Sequence, residues 1–162
     1  MVHGKIRRAT GVLAAVLLLA LGGCSRVESV QAQAGETVST ALFDFTVSDP
    51  QTLDSYTGID IPDGEKLVSM NLTVKNTSEE TYRMFAEDFQ IQWGDGDDDF
   101  GTCLASVDES MMPYSYKLEP GQDHSANMMV LVPTDCTQLT VAYQEMKADG
   151  EKATAYFVEV PL

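Results

Sequence analysis

The 162-residue sequence predicts an all-β fold, with two sheets packed as a sandwich. Three observations carry this. Apolar residues recur at every second position in successive short runs, turn-forming pairs separate those runs, and no apolar stripe at helical spacing follows the N-terminal segment. Alternation puts one side of a strand in a core and the other in water, because successive side chains point to opposite faces. Short strands at such spacing, in a domain of this size, point to a two-sheet sandwich.

The runs can be taken in chain order. Phe43, Phe45 and Val47 share one face of a first strand, with Asp44 and Thr46 between them. The clearest alternation is Val68, Met70, Leu72 and Val74 against Ser69, Asn71, Thr73 and Lys75. Phe89, Ile91 and Trp93 repeat it, with Gln90 and Gln92 outward. Ala126, Met128, Val130 and Val132 define another strand, although Met129 and Leu131 make it apolar on both sides. Leu139, Val141 and Tyr143 follow, and Tyr156, Val158 and Val160 close the chain. Asp49-Pro50, Asp63-Gly64, Asn76-Thr77-Ser78, Asp95-Gly96, Pro120-Gly121, Pro133 and Asp149-Gly150 fall between the runs, where turn chemistry is wanted.

The N-terminus reads as an export signal. Lys5, Arg7 and Arg8 form a positive segment, and Gly11 to Leu21 is almost wholly apolar. That run is too short for a membrane span of ~20 apolar residues and fits the apolar stretch of a secretory signal peptide. Leu21-Gly22-Gly23-Cys24 then resembles a bacterial lipobox, in which small residues precede the cysteine that takes a diacylglyceryl group through its sulfur. A plain signal peptide with an incidental cysteine is the alternative. Two acyl chains hold a protein firmly on a bilayer where one holds it marginally. Ser25 follows the cysteine, and no Asp stands there to suggest inner-membrane retention. The expected organisation is residues 1–23 as signal peptide, 24–39 as lipidated cysteine and flexible polar linker, and 40–162 as the sandwich. A linker of ~15 residues would have an r.m.s. reach of ~20 Å.

Composition limits the partners. The formal charge of −15 becomes −18 when the signal peptide leaves with three basic residues and no acidic ones. Nucleic acid is excluded, because phosphates need clustered Lys and Arg. The net charge also weighs against an anionic membrane surface as a direct partner of the folded domain, and solubility accounts for the acidity.

At this point the order of phrases resembles a known family. A lipobox and polar segment precede the Phe43–Ser48 strand. Leu72-Thr73-Val74-Lys75-Asn76-Thr77-Ser78-Glu79-Glu80 ends a long strand, followed by a Phe-x-Ile strand with an acidic turn, Leu118-Glu119-Pro120-Gly121, and Met129–Pro133 before Leu139–Tyr143. The pattern, over roughly Thr40 to Tyr143, is similar to the DUF4352-type immunoglobulin-like domain of bacterial lipoproteins. The resemblance implies an immunoglobulin-like β-sandwich and carries no functional residues. The acidic Asp95–Asp99 stretch, the two domain cysteines and the extension after Tyr143 depart from the usual pattern.

Several residues invite specific chemistry. Cys103 and Cys136 form a candidate disulfide in an oxidising compartment, with two unpaired thiols as the alternative. Asp95, Asp97 and Asp99 alternate like the opening of a calcium loop, but Phe100 and Ser106 stand where an EF-hand needs Gly and Glu, so a solvated turn competes. Met111, Met112, His124, Met128 and Met129 offer soft ligands for copper, against core filling and loop placement. No nucleophile elbow, zinc helix or phosphate loop occurs, and His124 is the single histidine after Cys24. Asn71-Leu72-Thr73 and Asn76-Thr77-Ser78 match a glycosylation pattern and read as strand and turn residues. The expected function is a non-catalytic, lipid-anchored envelope protein without a cofactor. It would sit on the extracytoplasmic face of the cell membrane as a binding or accessory module for another envelope protein or a cell-wall component. A calcium- or copper-binding lipoprotein and an uncharacterised hydrolase are the alternatives.

Overall fold

A computed structural model describes residues 27–162, so the expected signal peptide and Cys24 lie outside the described residues. Eleven strands run in order: β1 (Glu28–Gln33), β2 (Thr37–Ser39), β3 (Phe43–Leu53), β4 (Glu65–Asn76), β5 (Tyr82–Phe85), β6 (Phe89–Gln92), β7 (Phe100–Gly101), β8 (Ser115–Leu118), β9 (Asp123–Pro133), β10 (Gln138–Met146) and β11 (Lys152–Pro161). One 3-10 turn, Ala86–Asp88, joins β5 to β6, and the described residues contain no α-helix. Strands β1-β11-β10-β6-β7 make one sheet and β2-β3-β4-β9 the other, with β5-β8 as a two-stranded flap. The fold is an immunoglobulin-like β-sandwich.

The expected alternation holds through the core. Val68, Met70, Leu72 and Val74 on β4 are fully buried. They face Phe43, Phe45 and Val47 of β3 and Ala126, Met128, Val130 and Val132 of β9 in one apolar cluster. The opposite sheet contributes Phe89, Ile91, Leu139, Val141, Tyr156, Val158 and Val160 to the same cluster. Aromatic rings lock the layers edge to face, with Phe43 and Tyr143 centroids 4.9 Å apart and Phe45 and Phe89 5.2 Å apart.

The apolar outer positions of β9 have their own partner. Leu67, Met111 and Met129 form a second buried cluster, with Tyr56, Ile59 and Leu104 packed against it. The segments between β3 and β4 and between β7 and β8 thus fold over the outer face of the β4–β9 pair. This covering explains why β9 is apolar on both sides.

Two expectations change. Residues 28–33 and 37–39, expected within a flexible linker, are strands β1 and β2. β1 pairs in parallel with β11, from Glu28 opposite Thr154 to Gln33 opposite Glu159. The backbone finds a complete ladder there, which outweighs the polar composition, and Ala32 reaches the core. Asp49-Pro50, expected as a turn, is a bulge inside β3 where the register shifts between Ser48 and Gln51. Asp49 takes φ +52°, and its carboxylate accepts the Ser48 hydroxyl at 2.9 Å. The flap strands β5 and β8 had no signal strong enough to be read. The turn at Asp63-Gly64 is as expected, with Gly64 at φ +88°, a conformation glycine alone adopts without steric cost.

Candidate functional site

Sequence-expected site residues are the place to begin. Cys103 and Cys136 are both free thiols, so the disulfide is absent. Cys136 sits in the turn between β9 and β10, and its thiol is directed to the Gln138 carbonyl at 3.2 Å. Cys103 lies in the segment after β7, and burial pushes its thiol pKa up, with a smaller contribution from Glu87 against a backbone hydrogen bond that lowers it. A thiol so raised stays protonated at neutral pH and is a poor nucleophile.

The Asp95–Asp99 stretch is a tight loop joining β6 to β7. Asp99 turns its carboxylate back to accept the Gly96 amide at 2.8 Å, and the Asp99 carbonyl accepts Trp93 N–H at 2.9 Å. The aspartate closes its own loop and does not point at a shared centre. Among the described residues, no three His, Cys, Asp or Glu side chains converge to hold a metal ion. The Met and His set is likewise dispersed. Met111 and Met129 belong to the small outer cluster, while Met112 and Met128 belong to the main core. His124 stacks on Tyr116 with centroids 4.2 Å apart. Its pKa is lowered by burial, with Asp123 pulling weakly the other way. The imidazole Nε2 and the Tyr116 hydroxyl are both buried without a hydrogen-bond partner.

A further surface feature lies along one flank, where β7 and β9 are the edges of the two sheets. The 3-10 turn after β5, residues 102–106 and the entry to β8 border a cleft of about 280 Å³. Cys103, Leu104 and Met112 line its apolar side, and Glu87 and Ser106 supply polar groups. Tyr114 lines the cleft, and Phe85, one residue before the lining Ala86, sets its ring against it with centroids 5.9 Å apart and planes at 75°. Tyr114 is 67% exposed and Phe85 36%. Large aromatic rings left in water beside an apolar cleft are the composition of a contact surface.

The cleft is held in place from below. Leu104 N–H bonds the Met129 carbonyl at 2.7 Å and Met112 N–H the Asn127 carbonyl at 2.8 Å, which fixes the apolar wall to β9. Asp108 accepts Ser110 N–H and hydroxyl, both at 2.8 Å, and the Tyr56 hydroxyl at 2.6 Å. Those bonds hold its carboxyl below the usual range, led by the Tyr56 contact. On the other wall, Asp88 accepts Phe85 N–H at 2.7 Å and closes the 3-10 turn, while burial raises its pKa. Cys103 and Met112 drew notice for other chemistry, and the remaining loop residues follow no period, so the sequence did not mark the cleft. Asp88 and Asp108-x-Ser110 are local turn signals that could have marked the cleft's supports.

A second clamp lies at the end of β4. Asn76 is the buried polar residue of the core, and its side chain is fully used. Nδ2 donates to the Glu80 carbonyl at 2.7 Å and the Leu118 carbonyl at 3.1 Å, and Oδ1 accepts Ser78 N–H at 2.8 Å and its hydroxyl at 2.9 Å. The asparagine therefore ties the β4–β5 turn to the end of β8.

With this geometry in view, the comparison with known families becomes informative. The model of the domain of unknown function DUF4352 matches residues 32–153. The chain belongs to this family. The DUF4352 match begins inside β1 and ends inside β11, beyond both limits of the sequence resemblance, and it includes the Asn76 clamp and both walls of the cleft. Among solved structures, the yjhA protein from Bacillus subtilis superposes with a TM-score of 0.62 at 18% identity, covering 80% of this chain and 99% of that one. The ycdA protein of the same organism, described as a candidate lipoprotein, gives 0.60 at 17% identity over 77% of this chain and 38% of its own. An uncharacterised β-sandwich protein from Clostridium difficile gives 0.52 at 12% identity over 85% and 98%. At these identities the likeness concerns the fold. No curated protein matches the sequence.

Proposed function

We propose that this DUF4352 protein is a non-catalytic, lipid-anchored module on the extracytoplasmic face of the cell membrane that binds another envelope protein through the Phe85–Tyr114 cleft. The lipobox at Cys24 supports the anchor. The observation that carries the binding role is the exposed aromatic pair at the mouth of the cleft. Aromatic residues dominate the energetics of protein contacts because they bury much apolar area at little entropic cost. Volume favours a protein over a small ligand. At about 280 Å³ the cleft falls below the ~300–1,000 Å³ of small-molecule sites and suits one or two inserted side chains.

The test uses the full chain in its native envelope with a photo-crosslinking residue at Tyr114, and at Gln51 on β3 as an exposed control. The expected result is a discrete protein adduct at position 114 alone, lost when Phe85→Ala removes the second ring. Cys24→Ala should release the protein from the membrane fraction and abolish the adduct. Identical adducts at both positions, or none at 114, would refute the cleft as the contact. Retention of Cys24→Ala on membranes at the parental level would refute the anchor.

A further inference from the structure

We infer that one end of the sandwich rests on the bilayer, with Val27, Leu42 and Met146 seated among the lipid headgroups and the β6–β7 end held away. This rests on the lipid-anchor reading of Cys24. Only Ser25, Arg26 and Val27 separate Cys24 from the first residue of β1. Four Cα–Cα steps span at most about 14 Å, so the lipidated cysteine cannot lie far from Glu28. β1 is a bonded member of the sheet, paired with β11 along its whole length. An anchor at its start therefore restrains the orientation of the domain as well as its position, which a flexible linker would not do.

The registers show what shares that end. Glu28 lies opposite Thr154 and Met146 opposite Lys152, so the β10–β11 hairpin is beside the start of β1. The Ala41 amide donates to Glu145 Oε1 at 3.0 Å, which brings the β2–β3 turn alongside. Three apolar side chains are exposed on this rim: Val27 at 39%, Leu42 at 46% and Met146 at 53%. They come from three segments, and the short anchor places a lipid surface against them. Lys147 and Lys152 line a groove next to Val27. Lys147 pairs with Glu151 at 3.3 Å, which leaves Lys152 to lay its stem along apolar surface with its ammonium toward the headgroups. Glu28, Glu145, Asp149 and Glu151 share the rim, so the contact rests on apolar burial and the anchor and does not depend on anionic lipid.

The far end also exposes apolar side chains, Phe100 at 53% and Leu162 at 38%. The β6–β7 loop carries Asp95, Asp97, Asp98 and Asp99, and the groove beside it places Trp93 and Asp99 with Asp135 of the β9–β10 turn. Ten residues of β11 put roughly 33 Å between the two ends. With carboxylates at both ends, charge does not choose between them; the length of chain after Cys24 does.

The chain's single tryptophan, Trp93, sits at the far end and supplies an internal control. The full lipidated protein would be reconstituted in phosphatidylcholine vesicles carrying bromine on their acyl chains, which quenches indole fluorescence at short range. Met146→Trp, and separately Leu42→Trp, would be made with Trp93→Phe; both sites are exposed, and two variants guard against one folding poorly. The expected result is loss of about half the emission from either rim tryptophan, as for a group buried ~5–10 Å into the interface, against about a tenth or less from Trp93 in the parent. Protein that floats with the vesicles while its rim tryptophans are quenched no more than Trp93 overturns the seated orientation and leaves the anchor standing. Protein that does not float overturns the anchor and the orientation with it.

Discussion

Replacing Asn76 tests the fold where sequence and structure meet most closely. The side chain makes four hydrogen bonds, two given by Nδ2 and two taken by Oδ1, at a fully buried position. A buried hydrogen bond contributes about 0.5–1.5 kcal/mol net, and an abandoned partner costs about 1–3 kcal/mol. The Leu118 carbonyl is buried with the asparagine, whereas the turn groups near Ser78 can recover water. Asn76→Ala should therefore cost about 3–5 kcal/mol, a large part of the ~5–15 kcal/mol typical of a domain. Urea melts of the domain without its lipid measure this directly. Asn76→Asp provides the sharper signature. It keeps the acceptor but aims a carboxylate at two carbonyl oxygens, so the folded state holds the introduced carboxyl protonated and raises its pKa. A group raised in the fold gives its stability below the unfolded value and loses it as pH rises through the folded value. The deficit against the parent should therefore widen from pH 5 to pH 8. An alanine variant within about 1 kcal/mol of the parent, or an aspartate variant whose deficit ignores pH, would show that the clamp does not bind the two turns.

Two further perturbations address the core. Leu72→Ala should cost ~2–5 kcal/mol as a core truncation. Thr73→Ala should cost far less, since it gives up only partly exposed hydroxyl contacts to Ser125 at 2.9 Å and Asn71 at 3.1 Å; equal losses in denaturant melts would overturn the register of β4. Alkali should act through tyrosine: burial pushes Tyr82 and Tyr143 from 10.0 up to about 12, Glu145 adding to the effect at Tyr143. Their contribution is complete below the unfolded value and is lost as pH rises through the folded one, so the melting temperature should fall between pH 10 and 12. Tyrosinate absorbance appearing in full near pH 10 in the folded protein would contradict this.

What could be read from the sequence follows from what periodicity encodes. A strand covered on one side writes its burial into alternate residues, so β3, β4, β9, β10 and β11 were legible with their inward faces. Where both faces are covered the code fails. Leu67 and Met129 look like noise until the loops packed over them are known. β1 escaped notice for the opposite reason: it is an edge strand whose ladder with β11 requires only backbone, so its side chains stay polar and its sequence resembles a linker. The same reasoning applies to charge and to thiols. Alternating aspartates share a loop whether they bind an ion or one of them closes the turn, and Asp99 does the latter. Two cysteines in one chain say nothing about whether their backbones approach, and here each thiol is placed by its own segment.

The cleft was illegible for a deeper physical reason. Phe85, Cys103, Met112 and Tyr114 come from the flap and from a connection without repeating pattern, and they meet only because hydrogen bonds to β9 bring the connection back across the open flank. A site assembled from loops on a regular frame leaves no local signal except its turn residues, whereas the frame itself is written in every strand. The same contrast assigns the two ends and the flank different tasks. Under the proposed anchor, the end next to Cys24 would be placed by three residues of chain. The β6–β7 end, with its run of aspartates, would face away from the bilayer. The flank presents the Phe85 and Tyr114 rings sideways. A partner held parallel to the membrane would meet Tyr114, and one reaching down from the cell wall would meet the aspartates first, so the crosslinks formed at position 114 also report the direction from which binding occurs.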